Sequence, residues 1–127
     1  MARRLWLVLA AAACGGSGIE VPIQGLAISE CLDDGETDVP TEELLVVGQE
    51  RAIAVAHRSF EANCCHELEL SASREEGSDT VVVSYTDTTN EPCDCLCRYD
   101  LGYTLAEVPA GTWIVQVPGH QAQVGVD

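Results

Sequence analysis

The sequence predicts an all-β fold, a single small antiparallel β-sandwich of about seven strands over residues 19–127. Three observations predict it. Apolar and polar residues alternate with a period of two in several short runs, which turns one side of each run to a core and the other to water. Turns containing glycine or proline separate these runs at the spacing of sandwich strands. No stretch after residue 13 carries a 3.6-residue period that would define a helix.

The elements follow in chain order. Ile19, Val21 and Ile23 alternate with Glu20, Pro22 and Gln24. Pro22 has no amide proton to donate, so this is an edge strand or an extended lead-in. Residues 31–43 place Cys31, Asp33, Asp34, Glu36, Asp38, Glu42 and Glu43 around Gly35 and Pro40, the composition of a loop. Leu44 to Val47 and Arg51 to Val55 read as strands interrupted at Gly48-Gln49-Glu50. From His66 to Ser73, Leu68, Leu70 and Ala72 share one face, and Glu67, Glu69 and Ser71 share the other. Glu75-Glu76-Gly77-Ser78 turns the chain, and Thr80 to Thr86 returns with Val81, Val83 and Tyr85 in phase, which makes a hairpin. Residues 88–92 form a loop. Tyr103 to Val108 is a strand, Pro109-Ala110-Gly111 a turn, and Thr112 to Val117 a strand with Trp113, Val115 and Val117 on one face. Pro118-Gly119-His120 leads into a last strand, Gln121 to Val126. The segment from Val108 to Val117 resembles the closing hairpin of exported transthyretin-like and Ig-like sandwiches, and Tyr103 and Trp113 read as core.

The opening residues carry an address. Met1-Ala2-Arg3-Arg4 is a short cationic head, and Leu5 to Ala13 is an unbroken apolar run. Those nine residues fall short of the roughly 20 that a bilayer-spanning helix needs, and the run ends at the small residues of a cleavage site. Ala11-Ala12-Ala13-Cys14 followed by Gly15-Gly16-Ser17-Gly18 resembles the signal peptide and lipobox of a bacterial lipoprotein. The resemblance implies a signal peptide over 1–13, a lipidated Cys14 with a flexible spacer over 14–18, and a disulfide-bonded domain over 19–127. It also implies a membrane anchor strong enough to hold, because two or more acyl chains bind stably where one binds marginally. Gly15 stands where the family places an inner-membrane retention residue, which favours the outer membrane. An ordinary secretory cut after Ala13 would leave Cys14 as a free thiol.

Charge excludes some partners. The sequence contains no lysine, and its six arginines face 21 acidic residues, for a net charge of −15. Removal of Arg3 and Arg4 with the signal leaves four Arg against 21 acids, or −17. Such a field repels nucleic acid and anionic headgroups and keeps the surface solvated. At 46% apolar residues, the chain still has the material for one packed domain.

Setting Cys14 aside leaves six cysteines: Cys31, Cys64, Cys65, Cys93, Cys95 and Cys97. In an exported small domain an even set reads as a disulfide framework. Cys64 and Cys65 each bridge to one of the later three and Cys31 takes the remaining one; all 15 pairings stay open to sequence. Each bridge closes a loop worth about 3–4 kcal/mol. If 93–97 is extended, its three sulfurs project to one side, and adjacent Cys64 and Cys65 reach that row only if the chain turns there. The alternative is a soft-metal site, Zn or Cu, built from Cys64, Cys65, His66, Cys93, Cys95 and Cys97. Thiol-disulfide exchange is a third reading. It needs an activated thiolate, and Arg98, the cation beside the row, is countered by Asp94 and Asp100.

The remaining chemistry is sparse. The acidic residues Asp33, Asp34, Glu36 and Asp38 could offer oxygens to calcium but lack the EF-hand spacing, so a solvated loop is expected. His57, His66 and His120 stand apart in sequence with no H-E-x-x-H, and there is no nucleophile elbow or phosphate loop. The expectation is a lipid-anchored cell-envelope protein of binding or structural type, without catalysis or cofactor, with an envelope protein as partner.

Overall fold

The computed structural model describes residues 18–32 and 41–127. Residues 1–13, expected to be a signal segment, lie outside the described residues with Cys14 and the acidic residues Asp33 to Asp38. Among the described residues there are nine strands: β1 (Gly18–Glu20), β2 (Ile23–Ile28), β3 (Glu43–Gln49), β4 (Ala52–Asn63), β5 (Leu68–Glu75), β6 (Thr80–Asp87), β7 (Leu96–Ala106), β8 (Gly111–Val117) and β9 (His120–Val126). They form two packed sheets, a five-stranded one in the order β9-β8-β6-β5-β1 and a four-stranded one in the order β2-β7-β4-β3. The all-β sandwich is therefore as the alternation predicts, with two more strands than the seven expected.

One extra strand has a local cause. The lead-in splits at Val21-Pro22, where the chain leaves one sheet for the other. The Val21 amide donates to Ala72 of β5, and the Pro22 carbonyl accepts from Ala106 at the end of β7. Proline fits this crossing because no ladder there asks for its missing donor. One ladder also departs from antiparallel. β6 and β8 pair parallel, Thr80 to Val82 against Ile114 to Gln116, because the intervening β7 belongs to the opposite sheet and the chain returns in the direction it left.

β4 runs to Asn63, eight residues past its expected end at Val55. The alternation fails there because of a bulge. His57 pairs with Leu101 and Phe60 with Tyr99, so Arg58 and Ser59 together oppose Asp100. Ser59 adopts φ 57°, its amide donates to Asp100 Oδ1 at 3.1 Å, and its carbonyl accepts from Arg98 at 3.3 Å. Polar Arg98 and Asp100 likewise hide the start of β7, which begins at Leu96 rather than near Tyr103. The β5–β6 hairpin forms as expected, closed by Gly77 at φ 85°.

The core lies between the sheets. Ile53 and Val55 of β4 and Leu101 and Leu105 of β7 are buried with Val81 and Val83 of β6 and Val115 and Val117 of β8. Each such burial stabilises by about 1.5–3 kcal/mol. Trp113 is buried as expected, its indole donating to the Pro109 carbonyl at 2.8 Å. One edge of the sandwich closes on itself. β3 and β9 run side by side, held by Asp127 N–H to Gln49 O at 3.2 Å and Arg51 N–H to Asp127 O at 2.9 Å.

Candidate functional site

Strand phase places a histidine where the core would take an aliphatic residue. On β4 the inward positions run Ile53, Val55, His57, and His57 is fully buried. Tyr103 points inward from β7 beside it, and Tyr85 points inward from β6 of the opposite sheet. Glu42 enters just ahead of β3, and His120 opens β9, so the two meet at the seam where the sheets close. The result is a polar chain through the sandwich. His57 Nε2 lies 2.7 Å from Glu42 Oε2, His57 Nδ1 lies 2.9 Å from the Tyr85 hydroxyl, and the Tyr85 and Tyr103 hydroxyls are 2.8 Å apart. His120 Nε2 lies 3.3 Å from the same Glu42 oxygen.

The donors in this chain can be ordered. A carboxylate only accepts, so His57 Nε2–H donates to Glu42. Burial lowers the His57 pKa below its ordinary 6.5, against the opposing pull of Glu42, and keeps the ring neutral. Nδ1 is then an acceptor. Tyr85 donates to it, and Tyr103 donates to Tyr85. Burial raises both phenols, Tyr103 to about 12, so both stay protonated. Phe60 closes the apolar side of the cluster, its ring 5.1 Å from His57 and edge-on to Tyr85 at 5.0 Å. Among the described residues the ring has no serine or cysteine partner, so this is not a nucleophile–base pair. Its chemistry is that of a proton relay or a set of metal donors.

The cysteines gather at the far end of β4 and β7. Cys31 pairs with Cys97, Cys64 with Cys95 and Cys65 with Cys93, at Cα separations of 5.5, 5.7 and 5.4 Å. The chain turns at Cys64-Cys65, as simultaneous access to the later cysteines requires. The condition for a one-sided row of sulfurs over 93–97, an extended chain, is not met. Cys93 and Cys95 sit in an irregular bend and only Cys97 lies on β7. Asn63 fixes that bend: its Oδ1 accepts from the amides of Cys65 and Cys93, and its Nδ2 donates to the Cys93 carbonyl at 2.8 Å. The sulfurs of Cys64, Cys65 and Cys93 lie within 4.8 Å of one another. Paired as disulfides they offer no thiolate to a metal. His66 packs edge-on to Tyr99 at 4.5 Å rather than joining a ligand set.

No family model, curated protein or solved structure matches this chain.

The His57 cluster is the feature that sequence reading passed over. His57 and His120 looked scattered because 63 positions separate them in the chain. The one available signal was phase: His57 continues the inward face of Ile53 and Val55, and a histidine buried in a core needs polar partners.

Proposed function

We propose that this chain is an exported, lipid-anchored module of the bacterial cell envelope, held through Cys14 and acting by binding or as structure rather than by catalysis. The observation that carries the reading is the set of three disulfides, which uses every cysteine among the described residues. Such a set fits an oxidising, exported environment, since cytosolic thiols are kept reduced. The cationic head, apolar run and Ala13-Cys14 junction supply the route, and the Gly-Ser spacer supplies stand-off from the membrane.

The binding or structural part is supported by the outer face of the four-stranded sheet. Leu45 and Val47 of β3 are exposed, and they stand in register with Ala56 and Ala54 of β4, themselves opposite Gly102 and Thr104 of β7. In so acidic a chain this face is free of charge at its centre, which suits an envelope protein as partner and not nucleic acid.

Fractionation with mass spectrometry tests the reading. The chain is expected in the membrane fraction, beginning at an acylated Cys14, with no free thiols. Cys14→Ser should release it to the soluble exported fraction. A full-length, unacylated chain in the cytosol would overturn the proposal.

A further inference from the structure

Glu42, His57 and His120 offer three donor atoms that all lie within 4.8 Å of one another. A hydrogen bond between His57 and Glu42 would by itself satisfy both groups. It does not account for the second imidazole. His120 comes from a different sheet and turns its Nε2 to the same carboxylate oxygen, with its ring 5.8 Å from that of His57. We propose that these three residues form a metal site of the zinc class, holding one Zn²⁺ through two imidazole nitrogens and one carboxylate oxygen at the seam of β3 and β9. The inference stands apart from the anchoring proposal.

The two gaps to the carboxylate fit with little movement, and the two imidazole nitrogens stand within 4.8 Å of each other. Ligands about 2.0–2.2 Å from a tetrahedral ion stand roughly 3.3–3.5 Å apart. The Glu42 oxygen is 3.3 Å from His120 Nε2 and 2.7 Å from His57 Nε2, so the second gap must widen by well under an ångström. His57 is fully buried, while the side chains of Glu42 and His120 are 28% and 35% exposed. The ion therefore reaches the trio from solvent, and the fourth position faces water. An oxygen and two imidazoles are the donor set of an open zinc site. The acidic surface raises the local concentration of divalent cations.

The tyrosines complete the arrangement. A metal-bound imidazole holds its proton on the other nitrogen and donates it to an outer partner, which fixes the ring. Here the metal-bound tautomer of His57 carries its proton on Nδ1 instead of Nε2, and Tyr85 becomes its acceptor. Tyr85 then donates to Tyr103, a reversal that the pair allows because either hydroxyl can be the donor. The His57 ring keeps one proton throughout, and His120, whose Nε2 turns to the ion, carries its own on Nδ1.

The test uses the full disulfide-bonded chain, shown by thiol titration to carry no free thiols, stripped with chelator and dialysed against Zn²⁺. One zinc per chain should bind saturably and raise the melting temperature. His120→Ala, at a half-exposed position, should abolish binding while leaving the metal-free circular dichroism and melting unchanged. Tyr85→Phe should weaken binding by about tenfold. Co²⁺ should give a visible d–d spectrum without the charge-transfer band that thiolate ligation adds. Absence of saturable binding, binding indifferent to both His120→Ala and Glu42→Gln, or binding that appears only after the disulfides are reduced would each overturn the assignment.

Discussion

A Cβ atom on Gly48 would overlap the carbonyl oxygen of Gly125. This approach of β3 to β9 is what lets the two sheets close along one edge, and it holds Glu42 and His120 at the other end of the same seam. The obstacle is backbone, which cannot swing aside as a side chain would. Gly48→Ala should destabilise the fold by about 1–3 kcal/mol. Gly125→Ala meets nothing within 4 Å and should stay within about 0.5 kcal/mol of wild type. Urea denaturation of the two variants checks the asymmetry.

The three disulfides should contribute unequally. Cys64–Cys95 and Cys65–Cys93 are nested neighbours, so with the first in place the second closes a loop of only a few residues. Its removal as the paired alanine variant should cost about 2 kcal/mol in the loop-entropy treatment. Cys31 and Cys97 are 66 residues apart. Even shortened by the other bridges, that loop leaves a cost of about 4 kcal/mol. Guanidinium midpoints in that order support the nesting; equal midpoints count against it.

Tyr103 links stability to alkaline pH. Burial, partly offset by its bond to Tyr85, raises this phenol from 10.0 to about 12. The unfolded chain therefore loses its proton first. The protective effect is complete below pH 10 and drains away between pH 10 and about 12, at up to about 1.4 kcal/mol per pH unit. Rapid melts across this range should show the decline in wild type and a shallower one in Tyr103→Phe. Phenolate absorbance should reveal a tyrosine that ionises only on unfolding.

Ser59 is a residue the fold holds against its preferences. It is fully buried at φ 57°, and its hydroxyl has no hydrogen-bond partner among the described residues. The left-handed backbone costs about 1–2 kcal/mol and the unpaired hydroxyl about 1–3. Glycine relieves both, while adding about 0.5–1 kcal/mol of unfolded-state entropy and leaving a small void. Ser59→Gly should raise stability by about 1 kcal/mol, read by chemical denaturation. A loss of stability would show that the hydroxyl or its volume is needed at the bulge.

Much of the scaffold was legible because strand phase is local. Val81, Val83 and Tyr85 turn inward together, as do Trp113, Val115 and Val117, and both runs stand in the sequence as plain alternations. The bulge at Arg58-Ser59 and the polar Arg98 and Asp100 interrupt the alternation. They hid half of β4 and the start of β7, along with His57 at their centre. The cysteine corner was half legible: the need for a turn at Cys64-Cys65 followed from geometry, whereas the bend at Cys93 and Cys95 depends on Asn63 reaching across from another strand.

Sequence by itself determined that the chain makes short two-faced strands, that it is strongly acidic, and that its six later cysteines come in numbers suited to pairing. Those properties belong to each segment and to the summed composition, so no folded partner is needed to read them. Tertiary structure alone decided which cysteine meets which, where Pro22 carries the chain between sheets, and that Glu42, His57 and His120 converge on one point. Convergence of that kind depends on strand order and on backbone contact between Gly48 and Gly125. Both arise from packing between residues distant in the chain, and alternation within one strand carries no record of them.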